Sequence, residues 1–193
     1  MRTKTKALVL ATTATLLASG AVYAQKEGGG ITPTPPGPGL LVPITGTSCN
    51  ASGGINCPVA LPDLSTVQSS FDISDCGLVE SLDVGLDITH TWVSDMRITL
   101  ESPAGGASTI IFDNVGCGGD DVEAMLSDSG ASPVDSECAA AVPTIDGIFT
   151  PTNPLAIFNG EIADGTWTLT IEDTLAADEG TLNDWTLDLD CSG

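Results

Sequence analysis

Basic side chains are nearly missing from this chain: five lysines and arginines stand against 26 aspartates and glutamates in 193 residues. Three of the five, Arg2, Lys4 and Lys6, open the sequence. Beyond them only Lys26 and Arg97 remain against the 26 acids, a formal charge of −24. Such a surface repels phosphate backbones and anionic lipid, which argues against nucleic acid and membrane surfaces as partners. Histidine is represented by His90 alone, and no Gly-x-Ser-x-Gly elbow occurs, so the usual nucleophile and base of a hydrolase are not in evidence. A histidine in a strand, hydrogen-bonded to a neighbour, is the plain reading of His90. Aromatic residues make up 4% of the chain, which leaves little for a sugar-stacking cleft between paired catalytic carboxylates. Cys-x-x-Cys pairs are absent, which with a single histidine argues against zinc. The Asp-x-Asp-x-Asp-Gly ladder of an EF-hand is also missing.

What is present begins with an export signal. Arg2, Lys4 and Lys6 precede an uncharged apolar stretch from Ala7 to Val22, and Val22-Tyr23-Ala24 sets the expected cleavage before Gln25. The stretch is about 16 residues long, short of the roughly 20 needed to span a bilayer. The mature chain is therefore expected to be secreted or periplasmic, with residues 1–24 removed. Residues 25–47 hold Gly28-Gly29-Gly30 and Thr32-Pro33-Thr34-Pro35-Pro36-Gly37-Pro38-Gly39, a composition that builds no core and reads as linker. Residues 48–193 make one domain of ordinary size. All six cysteines, Cys49, Cys57, Cys76, Cys117, Cys138 and Cys191, follow the cleavage point, and an even count in an exported chain argues for three disulfides. Cys117 and Cys138 bracket one acidic, irregular loop and are expected to pair. The other four are expected to tie the amino-terminal segment and the final strand to the body, in a pairing that the sequence leaves open. Asn50-Ala51-Ser52 fits a glycosylation sequon for hosts that glycosylate exported proteins.

Strand patterns are frequent in this domain and helix patterns poor. Leu82, Val84, Leu86 and Ile88 alternate with Asp83, Gly85, Asp87 and Thr89. Met96, Ile98 and Leu100 alternate with Arg97, Thr99 and Glu101, and Ser102-Pro103-Ala104-Gly105 turns the chain toward a return strand at Ser108 to Phe112. Near the end, Trp167, Leu169 and Ile171 share one face of a strand, and Trp185, Leu187 and Leu189 one face of another; an acidic turn joins them as a hairpin. A period of two with one apolar face predicts half-buried strands. Only Val122 to Leu126 has the composition of a helical turn. The reading is all-β, a jelly-roll-like antiparallel β-sandwich.

The ordered motifs resemble a known family. They are Val84-Gly85-Leu86-Asp87-Ile88-Thr89-His90-Thr91-Trp92, Ser94-Asp95-Met96-Arg97-Ile98-Thr99-Leu100 with Ser102-Pro103-Ala104-Gly105, Phe112-Asp113-Asn114-Val115-Gly116, Gly147-Ile148-Phe149-Thr150-Pro151, Pro154-Leu155-Ala156-Ile157-Phe158-Asn159-Gly160, and the segment from Gly165 to Leu189. Together they look like the P domain, also called P/Homo B, which follows the catalytic domain in kexin- and furin-like proprotein convertases. The resemblance implies a jelly-roll-like sandwich of about eight strands. In convertases this domain packs on a subtilisin-like catalytic domain, supports its folding and influences its calcium and pH dependence. Ser94-Asp95-Met96 departs from the family's frequent Gly-Asp-Leu, and Ser127-Asp128-Ser129-Gly130-Ala131 from an Asp-Asp-Glu-Ala-like segment. Only a signal and a linker are expected ahead of the domain, with no protease.

Asp113, Asp120, Asp121 and Asp128 fall in one region rich in Gly116, Gly118 and Gly119, where carboxylates and backbone carbonyls could supply the six to eight oxygens that calcium takes. One calcium on these four aspartates is the expected metal site; a solvated acidic loop is the alternative. Asp173, Asp178 and Glu179 read as a hairpin turn, and Trp167 and Trp185 as core rather than a carbohydrate platform. The functional expectation is a secreted, non-catalytic accessory or protein-recognition module, stabilised by calcium, whose partner is a secreted protein such as a subtilisin-like protease. The alternative is a calcium-dependent glycan-binding module.

Overall fold

The computed structural model describes residues 41–49 and 57–192. The expected signal peptide, most of the expected linker and the Asn50 sequon lie outside the described residues. Ten strands are described: β1 (Leu41–Ser48), β2 (Val59–Leu61), β3 (Thr66–Ile73), β4 (Leu78–His90), β5 (Met96–Glu101), β6 (Ser108–Phe112), β7 (Val122–Leu126), β8 (Ile145–Phe149), β9 (Gly165–Asp173) and β10 (Gly180–Ser192). They form two sheets. The larger runs β1-β10-β4-β7-β8, with β2 also paired to β10, and the smaller runs β3-β9-β5-β6. The all-β sandwich is as expected, with ten strands rather than about eight. β1 begins at Leu41, inside the stretch that composition assigns to the linker, and pairs with β10 from Leu41↔Ser192 to Ser48↔Thr186.

Alternation explains which faces are buried. Leu82, Val84, Leu86 and Ile88 of β4 and Leu182, Trp185, Leu187 and Leu189 of β10 turn inward, toward Met96, Ile98 and Leu100 of β5 and Trp167, Leu169 and Ile171 of β9. The two tryptophans face each other's sheet and are fixed by their N–H groups. Trp185 Nε1 donates to Ser69 Oγ on β3 at 2.8 Å while its ring meets Phe71 at a centroid distance of 4.3 Å. Trp167 Nε1 donates to the Ala163 carbonyl at 2.9 Å and packs edge-on against Phe158. A buried indole with a bonded N–H contributes both area and register.

Three expectations need correction. Val122 to Leu126 is a strand: Val122, Ala124 and Leu126 are buried while Glu123 points out, and pairing with β4 overrides the helical preference of Glu, Ala, Met and Leu. That strand lies between Cys117 and Cys138, so the bracketed segment is not wholly irregular. Second, β7 and β8 run parallel, joined by a long excursion over residues 127–144, because a parallel return needs more than a tight turn. Third, β9 and β10 are not a hairpin. They belong to opposite sheets, and residues 174–179 carry the chain across the sandwich.

The described cysteines form three bridges. Cys49 joins Cys57, Cys76 joins Cys191, and Cys117 joins Cys138 with a sulfur separation of 2.08 Å.

Candidate functional site

The structure gives the four aspartates singled out for calcium separate duties. Asp113, just after β6, accepts from Arg97 Nε at 3.1 Å. Asp121 sits at φ 65° before β7, and its carboxylate accepts the His90 N–H at 2.9 Å. The carbonyls of Asp120 and Asp121 both receive the Thr144 N–H, at 2.7 and 3.1 Å, while the Asp120 side chain is left exposed. Asp128 caps the 3-10 turn Leu155–Phe158, its two oxygens accepting the Leu155 and Ala156 N–H groups at 2.8 Å each. Side-chain acceptance of end-of-turn N–H groups is a structural task. Among the described residues one trio of His, Cys, Asp or Glu ligand atoms falls within 4.8 Å, that of Cys49, Cys57 and Asp184, and its sulfurs are joined as a disulfide. The four aspartates therefore do not converge as one cage; Asp120 and Asp121 are the adjacent pair among them.

A different cluster is buried where β4 and β9 end and β5 begins. His90, Asp95 and Asp173 are 0%, 2% and 5% exposed. His90 Nδ1 accepts the Trp92 N–H at 3.2 Å, which places the imidazole proton on Nε2, 3.4 Å from Asp173 Oδ2. Asp95 ends the 3-10 turn Val93–Asp95, and its carbonyl receives the Thr174 N–H at 2.8 Å and the Thr174 hydroxyl at 2.9 Å. Asp178 accepts from the Thr91 hydroxyl at 2.8 Å, and Asp63 from the Ala177 N–H at 3.1 Å. Acids thus hold the crossing at residues 174–179 from both sides. Asp173 is a buried member of this cluster and not part of a hairpin turn. His90 behaves as a strand histidine whose Nδ1 is tied to backbone, while its Nε2 faces Asp173 Oδ2 without a hydrogen bond.

Burial raises the Asp95 pKa, and the charges of Asp173, Asp178 and Asp63 raise it further, against a lowering by His90. A carboxyl whose folded-state pKa is raised favours the native state most below its unfolded value, and this contribution is lost as pH climbs through the raised value. Asp95→Asn removes that dependence. Thermal melts between about pH 4 and 7 are expected to show the variant gaining on the parent as pH rises, and parallel curves would show that the Asp95 charge carries no burden. The sequence does not display this cluster, because Asp95 lies between Val93 and Met96 as part of a motif while Asp173 is far along the chain. That context, a lone acid at an inward position beside a strand, was the available signal.

Trp167 and Trp185 are both fully buried, so neither offers a ring to a sugar.

The family model of the proprotein convertase P-domain matches residues 79–129 and 143–189. The chain belongs to this family. Its buried trio of His90, Asp95 and Asp173 lies wholly within the matched segments. The P domain is 31% identical over 133 residues to proteins named calcium-dependent protease from Nostoc sp. and from Trichormus variabilis. Those alignments cover 68% of this chain and 17% of each relative, so the chain spans about a sixth of their length. Among solved structures it is similar in fold to the serine protease of Aeromonas sobria in complex with the chaperone, at a TM-score of 0.52 and 20% identity over 84% of this chain and 28% of that one.

Proposed function

We propose that this P domain is an exported, non-catalytic accessory module that recognises a protein partner, a subtilisin-like serine protease. The observation that carries this reading is the P-domain match at residues 79–129 and 143–189, together with relatives named proteases in which the matched region is 17% of the length. The fate of the chain's one imidazole supports the non-catalytic part: His90 is fully buried and engaged with backbone. Three disulfides and the basic, then apolar, amino-terminus support export to an oxidising compartment.

Calcium stabilises the fold in this reading. The relatives' name supports it, as does a chain whose acids outnumber its bases 26 to five. Asp120 and Asp121 are the two of the expected four that are consecutive in sequence, and they would supply carboxylate oxygen, as calcium requires. A native-state ligand raises the melting temperature by mass action. The full chain is expected to melt several degrees higher in calcium than in chelator, and Asp120→Asn with Asp121→Asn to erase the difference. An unchanged melt would remove calcium. Co-expression with a secreted subtilisin-like protease of the same genome tests the partner, with co-purification and a slower loss of protease activity on heating as the expected result. Peptide hydrolysis by the isolated chain, or no association, would overturn the accessory role.

A further inference from the structure

Four carboxylates stand side by side on the outward face of the larger sheet. Pairing sets Asp184 of β10 opposite Asp87 of β4, Asp87 opposite Glu123 of β7, and Glu123 opposite Asp146 of β8. Directly opposed side chains on neighbouring strands are close enough that like charges repel. Arg97, the only basic residue among those described, is on β5 in the other sheet and engaged with Asp113 and Glu172. Neutral donors reach part of the row: Asn183 Nδ2 bonds Asp87 and the Trp185 N–H bonds Asp184, each at 2.9 Å. Glu123 and Asp146 are exposed and receive no cation from the described fold.

A second row runs beside the first, Thr186, Gly85, Met125 and Ile148, and beyond it Asp188 opposes Asp83. Gly85 leaves this row without a side chain at its centre; a Cβ there would come within 2.3 Å of Thr186 Oγ1. The result is a groove of about 390 Å³, floored by Met125 and Ile148 and walled by acids. Ile148 is 61% exposed on β8, the end strand of the sheet, so the groove opens at that edge.

We propose that this groove docks an extended, cationic peptide segment of a partner protein, its lysines or arginines directed at the Asp184–Asp87–Glu123–Asp146 row. This rests on the protein-recognition reading above and gives the partner's contact segment a chemistry. Charge complementarity selects the occupant: a second copy of this chain would bring more negative charge to a face already repelling itself. Four strands at about 4.8 Å spacing span roughly 14 Å, the length of about four extended residues. Alternate residues of such a segment face the same side, which brings its basic side chains to the acidic row. Their methylene stems cover Met125 and Ile148 while the charged heads reach the carboxylates.

Fluorescence anisotropy on the full chain tests this, with a labelled peptide carrying arginine at alternate positions and a matched peptide carrying citrulline. The arginine peptide is expected to bind at low salt, to weaken as salt rises, and to bind Glu123→Gln/Asp146→Asn about tenfold or more less tightly. Glu101→Gln/Glu172→Gln removes the same charge from the outward face of the smaller sheet and is expected to bind like the parent. Equal losses in both double variants would reduce the effect to the general field of an acidic protein and overturn the groove. So would equal binding of the citrulline peptide, or no binding. A melt serves as the check on folding: the groove variant is expected to melt at or above the parent because repulsion is relieved, and a lower melt would overturn the repulsion argument. If the co-expressed protease still co-purifies with the groove variant, the groove is wrong as the partner's contact and the accessory role stands.

Discussion

Replacing Cys76 and Cys191 together by alanine is expected to cost about 5 kcal/mol of stability, against about 2.5 kcal/mol for the Cys49/Cys57 pair. The difference follows from loop size. The first bridge closes 115 residues of sequence and the second only 8, so the first removes far more freedom from the unfolded chain. Cys191 is also the penultimate residue of β10, and its partner precedes β4, so the bridge staples the two strands that pair along most of their length. A loss near 5 kcal/mol is a large part of the total for a domain of this size, and the variant is expected to be partly unfolded at ordinary temperature. Guanidinium titration of the two double variants beside the parent reads both values. Equal losses would mean that the unfolded chain is already compact around the long loop, and that loop entropy is not what the bridge supplies.

The second large effect is expected at Trp185. Trp185→Ala should cost about 3–5 kcal/mol, the range for emptying a buried aromatic site. The indole is 1% exposed, packs against Phe71 and donates to Ser69 Oγ, so it bonds from the larger sheet across to β3. Two controls divide the loss. Ser69→Ala leaves the buried indole N–H without this acceptor and should cost about 1–3 kcal/mol. Trp185→Phe keeps a ring beside Phe71 while giving up the N–H, and is expected to recover most of the alanine loss. Chemical denaturation midpoints check all three. A loss under about 1 kcal/mol for the alanine variant would mean that the two sheets close over the vacated space and that packing here is loose.

The sequence made burial legible and partnership far less so. In β5 and β9, from Leu82 onward in β4 and from Trp185 onward in β10, alternation of apolar with polar residues names the inward face directly, because side chains of a strand must alternate. Nothing in that alternation says which strand lies alongside. Trp167 and Trp185 look like the two halves of one hairpin because six residues separate β9 from β10, yet the same inward faces serve equally well when the strands face each other across the core. Val122 to Leu126 misleads for the opposite reason: its residues have good helical propensity, and only its neighbours β4 and β8 make it a strand. Acids were hardest to read. Asp113, Asp120, Asp121 and Asp128 are near one another in sequence, but a carboxylate takes its role from what it can reach: Arg97 for the first, the His90 N–H for the third, and the start of a 3-10 turn for the last. Asp95 and Asp173, 78 positions apart, meet in the interior instead. The acidic row was out of reach for the same reason, since it exists only once β10, β4, β7 and β8 are set in register.

The place of β10 in the larger sheet has a consequence for the order of events in the cell. It pairs with β1, β2 and β4, strands drawn from the start of the described fold, and so it fills a gap that earlier segments can only frame. Until residues 180–192 have been delivered, β4 lacks its longest neighbour and β1 and β2 have no site to join. A chain emerging amino-terminus first therefore stays open, with strand edges bare, until that late segment arrives. The interval before closure is therefore the time when proteases and stray strands have their chance.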